Sequence, residues 1–293
     1  MYTTLISATE LQALLASGQP SRVFDCSFDL MQPAAGAAMY AQAHIPGAVY
    51  AHLDQHLSAP KDPATGKPVP GTAASGGRHP LPTREAFAAW LGSVGLDNTL
   101  QAVVYDRQGA NYCGRLWWML KWAGHANVAV LDGGLQAWQA AGGALASGPQ
   151  GAFSARNYAL RPELLALTAT KTIAENLGRA GQTVLDARGA PRFRGEVEPL
   201  DPIAGHIPGA LNRPFTDNLG ADGRFKPAAQ LKAEFLALLG ERDPATVVHH
   251  CGSGVSAVPN ILAMEVAGLG PTALYAGSWS EWSNTPGLPV AQG

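Results

Sequence analysis

AHIPGA at residues 43–48 returns as GHIPGA at 205–210, and that echo decides the architecture. It is not isolated. RVFDCS at 22–27 pairs with TVLDAR at 183–188, AVVYD at 102–106 with TVVHH at 246–250, and LDGGLQAW at 131–138 with YAGSWSEW at 275–282. The four pairs run in the same order in both halves. The first two are offset by 161–162 residues and the last two by 144, so one extra stretch lies in the first half, within 49–101. The Pro-, Gly- and Ser-rich AHLDQHLSAPKDPATGKPVPGTAASGGRHPLP is the candidate insertion. Two homologous domains are expected, 1–147 and 158–293, with a connector near 146–160 (ASGPQGAFSARNYAL).

Secondary-structure periodicity agrees in both halves. Short β-branched runs at 23–24, 103–105 and 128–131, then at 183–185, 246–249 and 272–275, alternate with helical patterns. The clearest helical patterns span 85–94, 114–122, 229–239 and 258–267. Strand–helix alternation implies a mainly parallel sheet with helices on both faces, so each domain is expected to be a small α/β unit. Active sites in such sheets lie beyond the carboxyl ends of the strands.

Bulk properties exclude several classes of partner. The chain has 293 residues, is 46% hydrophobic and 14% charged, and carries a formal net charge of −2. That balance gives no general attraction to nucleic acid or to an anionic membrane, so an anionic ligand needs a local set of donors. MYTTLISATELQALL at the start lacks the pattern of a secretory signal, and no apolar run approaches membrane-spanning length. Three cysteines, Cys26, Cys113 and Cys251, form an odd set without framework spacing. Free thiols in a reducing, cytoplasmic setting are expected.

The chemistry is concentrated in TVVHHCGSGVSAVPNILAMEV at 246–266. It reads as a buried strand, a glycine-containing loop and a helix starting near Ala257, with Pro259 in the first turn, where its missing N–H costs nothing. Gly252 and Gly254 permit the positive φ values that let successive N–H groups converge. A cysteine opening such a loop faces backbone donors and the positive end of a helix dipole, conditions that favour the thiolate. Cys251 is therefore the candidate nucleophile. Cys26 and Cys113 open no such loop and read as small buried hydrophobes. A cysteine phosphatase would need an arginine six residues after the cysteine to clamp phosphate, and Ala257 stands there.

CGSGVSA at 251–257, HIPGA in both halves, RFRG at 192–195 (read within APRFRGE), VLDGG at 130–134 and GSWSEW at 277–282 together resemble the two-domain sulfurtransferases of the rhodanese superfamily. Within them the chain is most similar to the 3-mercaptopyruvate sulfurtransferases. The resemblance covers essentially the whole chain. It implies tandem rhodanese-like domains and a ping-pong reaction. Cys251 takes sulfane sulfur from a small-molecule donor as a persulfide, then passes it to a thiol or cyanide, with a thioredoxin-like protein or small thiol as acceptor. It implies no metal and no organic cofactor. The 144-residue offset sets Arg107 opposite Cys251, so the first domain lacks the nucleophile.

The same resemblance carries over further site residues. Ser253 matches the serine of a Ser–His–Asp relay, His79 of HPLP its histidine and Asp54 its aspartate; the relay would manage the proton that the departing enolate needs. Gly252, Gly254, Val255 and Ser256 would hold the transferred group, and Arg192 the donor's anionic end. One departure stands out. A second arginine normally follows a Glu-Pro pair, but EPLD places Leu200 or Asp201 there, leaving Arg188 or Arg194 as substitutes. His44 and His206 recur in both halves and read as structural. A zinc site on His249, His250 and Cys251 lacks spaced partners. Trp117, Trp118 and Trp122 read as core, and Trp279 and Trp282 either line the site or pack. Two other functions stay open: a thiosulfate sulfurtransferase using the same cysteine, and a non-catalytic rhodanese-like binding module.

Overall fold

The computed structural model describes all 293 residues. They divide into two compact units. One comprises Met1–Ala59, Pro82–Leu164 and Ala221–Phe225; the other comprises Pro60–Leu81, Leu165–Gly220 and Lys226–Gly293.

In the first unit, strands β1 (Leu5–Ile6), β2 (Ser21–Asp25), β3 (Val49–Tyr50), β4 (Gln101–Tyr105) and β5 (Val128–Leu131) form a sheet in the order β1-β5-β4-β2-β3. All of its pairings are parallel. Helices α1 (Ala8–Ala16), α2 (Ala35–Gln42), α3 (Arg84–Ser93), α4 (Cys113–Trp122) and α5 (Gly134–Ala140) make the connections. Every residue of β4 and β5 is buried, as expected of strands covered on both faces. Trp117 and Trp118 of α4 are fully buried and Trp122 nearly so, as their helical spacing suggests.

The second unit contains α6 (Thr170–Glu175), β6 (Thr183–Asp186), α7 (Ala190–Arg194), β7 (Leu211–Asn212), α8 (Ala228–Leu239), β8 (Val247–His250), α9 (Val258–Val266), β9 (Ala273–Leu274) and α10 (Ser278–Trp282). Its sheet runs β7-β6-β8-β9, again all parallel. The counterpart of β1 shrinks to a single parallel bridge between Leu167 and Leu274, which is why this sheet has four strands and not five. The expected α/β architecture is what the chain adopts, and the six strands and four helices read from the sequence fall within one or two residues of β2, β4, β5, β6, β8, β9, α3, α4, α8 and α9. The two-residue strands β1, β3 and β7 and helix α1 lie outside that reading. No helix is long and apolar enough to cross a membrane.

The repeated HIPG motif has the same job in each unit. His44 Nδ1 lies 2.8 Å from the Tyr40 carbonyl and its ring stacks on Tyr40. His206 Nδ1 lies 2.8 Å from the Phe193 carbonyl and stacks on Phe193. Both backbones form antiparallel bridges, to Ala146 and Ala291 respectively. These histidines lock a helix end to a late segment of their own unit, so the motif is structural.

Candidate active site

Cys251 follows β8, an interior strand of its sheet. After β6 the chain moves to β7 on one side and returns to β8 on the other, so the carboxyl ends of β6 and β8 flank a topological switch point. Cys251 is 2% exposed. Its amide donates to Ser278 Oγ at 3.1 Å, and its carbonyl accepts from the Trp279 amide at 2.9 Å. Ser278 takes a left-handed φ of 55° without being glycine, a local strain sustained because its hydroxyl also donates to the Tyr275 carbonyl at 2.9 Å.

The loop from Gly252 to Ala257 leads into α9, with Pro259 in the first turn. The amides of Gly252, Ser253, Val255, Ser256 and Ala257 donate to no acceptor in the protein. All but Ser256 are buried, and buried N–H groups without partners are rare unless a ligand or reacting group supplies the acceptor.

The first unit shows what such a loop binds. There the residue before Arg107 is Asp106, and its carboxylate accepts from the amides of Gln108 (2.9 Å), Ala110 (3.1 Å), Tyr112 (2.8 Å) and Cys113 (2.9 Å). Ala110 has φ 65° and its counterpart Gly254 φ 75°, so both loops take a left-handed turn at that position, although Gly109 is also left-handed at 67° and its counterpart Ser253 is not. In the second unit His250 stands where Asp106 does, and its ring turns elsewhere: Nε2 lies 3.5 Å from Asp186. One cradle is closed by an internal carboxylate. The other is left open beside a thiol.

An inward-folded arginine is exchanged in the same way. In the first unit Arg107 folds inward to Asp25, Ser27 and the carbonyls of Met39 and Ala43. In the second unit that role falls to Arg188, on the loop after β6, which bonds Asp186 (2.7 Å) and the Gly205 carbonyl (2.7 Å) and lies 4.6 Å over the Trp279 ring. Supplying the guanidinium from β6 frees the position after β8 for a small nucleophile.

His79 belongs to the same compact unit as Cys251, although it is encoded in the first half of the sequence. His79 Nδ1 lies 2.8 Å from Ser253 Oγ, both side chains being buried. Asp54 lies in the other unit, half-buried in the turn after β3, with its amide donating to His52 Nδ1 at 3.1 Å.

Arg192, in the last turn of α7, pairs with Glu198 at 2.6 Å and Asp201 at 3.3 Å. Of the two arginines considered as substitutes for the missing one, neither is free to serve. Arg188 is buried and fully engaged as described, with Glu198 at 3.3 Å as a further partner. Arg194 is exposed and paired with Glu196. The guanidinium that does approach the loop belongs to Arg78, which pairs with Asp201 at 2.8 Å. A methyl group placed on Gly252 would lie 3.3 Å from Arg78 Nη2 and 3.4 Å from Arg192 Nη1. A cavity of about 630 Å³ is lined in part by Lys61, Lys67, Gly77, Arg78, Asp201 and Glu281. Sequence reasoning missed both Arg78 and Ser278. The only local signals were their places beside HPLP and inside GSWSEW.

The remaining candidates are structural. Cys26 and Cys113 are free thiols whose pKa is pushed well up by burial and then by the nearby Asp106 carboxylate. Trp279 and Trp282 are buried and donate from their indole nitrogens to the carbonyls of Ile203 and Pro289. Glu281 of α10 is pushed above the usual carboxylate range by burial.

His249 is fully buried with neither ring nitrogen bonded, and burial, reinforced by His250, depresses its pKa to about 3. An unfolded histidine titrates near 6.5, so between pH 6.5 and 3 the unfolded chain holds the extra proton and stability declines as pH falls. Above pH 6.5 this contribution is complete. From pH 7 to 5, His249 alone is expected to cost about 2 kcal/mol. Urea midpoints of the wild type and His249→Leu at both pH values check this; equal shifts in the two proteins would refute it.

Comparison with known proteins places this geometry. The rhodanese-like domain model matches twice, over residues 7–141 and 169–285. The chain is 46% identical over 290 residues to the probable 3-mercaptopyruvate sulfurtransferase of Pseudomonas aeruginosa, covering 99% of this chain and 98% of that one. It is 40% identical over 289 residues to the putative thiosulfate sulfurtransferase of Mycobacterium tuberculosis, covering 99% and 97%. Among solved structures, the 3-mercaptopyruvate sulfurtransferase from Leishmania major superposes with a TM-score of 0.79 at 30% identity, over 98% of this chain and 76% of that one. With two matches to one domain model that between them cover most of the chain, the chain belongs to the rhodanese family.

Proposed function

We propose that this protein is a sulfurtransferase that moves sulfane sulfur from 3-mercaptopyruvate through a Cys251 persulfide to a thiol or cyanide. The observation that carries the reading is the open amide loop beside Cys251, set against its first-unit counterpart closed on the Asp106 carboxylate. A loop that holds a carboxylate in one domain has the donors to hold negative charge on sulfur in the other.

In the first half-reaction the Cys251 thiolate attacks the donor sulfur. A sulfur–sulfur bond forms, the donor's carbon–sulfur bond breaks, and its electron pair remains as the pyruvate enolate. The enolate takes a proton from Ser253 Oγ, which is resupplied through His79 at 2.8 Å. By the family resemblance Asp54 is the third member of the relay, and Asp54→Asn is expected to lower kcat/KM for 3-mercaptopyruvate more than for thiosulfate. The loop of Gly252, Gly254, Val255 and Ser256 holds the persulfide, through the amides of Gly252, Val255 and Ser256 with Gly254 making the left-handed turn, and Arg192 binds the donor's carboxylate. In the second half-reaction an acceptor thiolate attacks the outer sulfur and leaves Cys251 as the thiolate. A thioredoxin-like protein or a small thiol is the acceptor class we infer, and three free cysteines suit a reducing, cytoplasmic setting.

Thiosulfate is the competing donor, and the relay separates the two. Sulfite leaves without needing a proton, whereas an enolate needs one. Ser253→Ala is expected to lower kcat/KM for 3-mercaptopyruvate about 100-fold and to change that for thiosulfate little. Steady-state kinetics with both donors, on wild type and variant, make the test. A wild type that prefers thiosulfate, or equal losses with both donors, would reject the assignment.

A further inference from the structure

We infer that Arg78 is the second anion-binding cation of the donor site, and that Asp201 positions it. Arg192 presents Nε and Nη2 to Glu198 and Asp201, which leaves Nη1 without a protein acceptor. Arg78 presents Nη1 to Asp201 and the Leu200 carbonyl, which leaves Nη2 without one, and its buried Nε also has no partner. The two unengaged groups are the ones that converge on Gly252, next to Cys251.

Asp201 makes the convergence possible. Its side chain is 2% exposed, and its two oxygens face the two arginines, Oδ1 at 2.8 Å from Arg78 and Oδ2 at 3.3 Å from Arg192. A carboxylate shared between two guanidinium groups fixes their spacing and offsets their mutual repulsion. Asp201, in the EPLD stretch where the family's second arginine is missing, thus recruits an arginine from elsewhere. The Arg78 backbone is anchored independently, its amide donating to Ser280 Oγ at 2.9 Å. Side-chain substitutions there leave that anchor in place.

The ligand these groups suit is a small carboxylate. Two planar NH2 groups from different guanidinium planes match its two oxygens, while the sulfur of the same molecule reaches the adjacent cysteine. Because Asp201 and Glu198 already balance the two cations, recognition is short-range hydrogen bonding and not a long-range field. This agrees with the net charge of −2.

The inference rests on the donor reading above, and its test separates the two. With 3-mercaptopyruvate as donor and 2-mercaptoethanol as acceptor, Arg78→Gln is expected to lower donor kcat/KM about 10- to 100-fold, mainly through KM, while acceptor kcat/KM stays within about twofold. Arg78→Lys should recover part of the loss, and Asp201→Asn should reproduce a weaker form of it. An unchanged donor kcat/KM, or parallel losses in both half-reactions, would overturn the assignment. Binding of pyruvate to the Cys251→Ala protein supplies a readout free of turnover. There Arg78→Gln should weaken affinity by a similar factor, and equal affinity, or no binding by the parent, counts against Arg78. If wild type fails to use 3-mercaptopyruvate while pyruvate binding still depends on Arg78, the donor reading falls and this inference stands.

Discussion

Cys251→Ala is expected to leave no measurable sulfur transfer with any donor and no gain of one sulfur mass after donor treatment. The reason is chemical and not structural. No other thiol can take over, because Cys26 and Cys113 are free but buried, and burial together with Asp106 holds them protonated. The protein itself should be little affected. Removing one buried sulfur from a loop held by Ser278, Trp279 and Ser280 through the backbone costs about 1–2 kcal/mol at most. Intact-protein mass spectrometry before and after donor treatment, alongside a thermal melt, makes the check. A sulfur adduct that survives in the folded variant would move the persulfide away from Cys251. It would also revive the reading of this chain as a binding module.

Gly254→Ala should do comparable damage by a different route. Gly254 sits at φ 75°, but that alone does not demand glycine, since Ala110 holds φ 65° at the equivalent place. The constraint is the neighbour. A methyl on Gly254 would overlap the Ala276 carbonyl oxygen and come within 2.8 Å of Ala276 Cα, backbone atoms that cannot swing aside. The loop must therefore shift, carrying the amides and Ser253 out of register with Cys251. Strain and overpacking are expected to cost about 2–4 kcal/mol, and a displacement near 1 Å to cost about 100-fold in donor kcat/KM. Gly209→Ala is the control: its φ of 78° is equally left-handed, but its methyl would meet nothing within 4 Å, so only about 1 kcal/mol is expected there. Denaturant midpoints and donor kinetics for both variants distinguish the effects. Equal costs at the two positions would show that backbone conformation, and not the approach of Ala276, sets the requirement.

The sequence by itself determined the duplication, the alternation of strands and helices, and the cysteine loop. Each is written locally: HIPGA recurs, β-branched runs such as AVVY demand burial on both faces, and CGSGVSAVP is a strand–loop–helix turn whatever surrounds it. Side-chain partnerships across long separations were decided only by the tertiary structure. Ser253 and His79 are 174 residues apart, and Arg78 and Asp201 are 123 apart. Neither proximity follows from periodicity, because each depends on the path of Pro60–Leu81, a segment rich in proline and glycine that packs with the second sheet's unit. The Asp106 carboxylate closing its own loop and the strained Ser278 holding the Cys251 amide were likewise illegible, since residue order does not reveal where a polar side chain turns. Local hydrogen bonding and hydrophobic spacing act over a few residues, whereas the chemistry at Cys251 depends on groups that only the folded chain brings together.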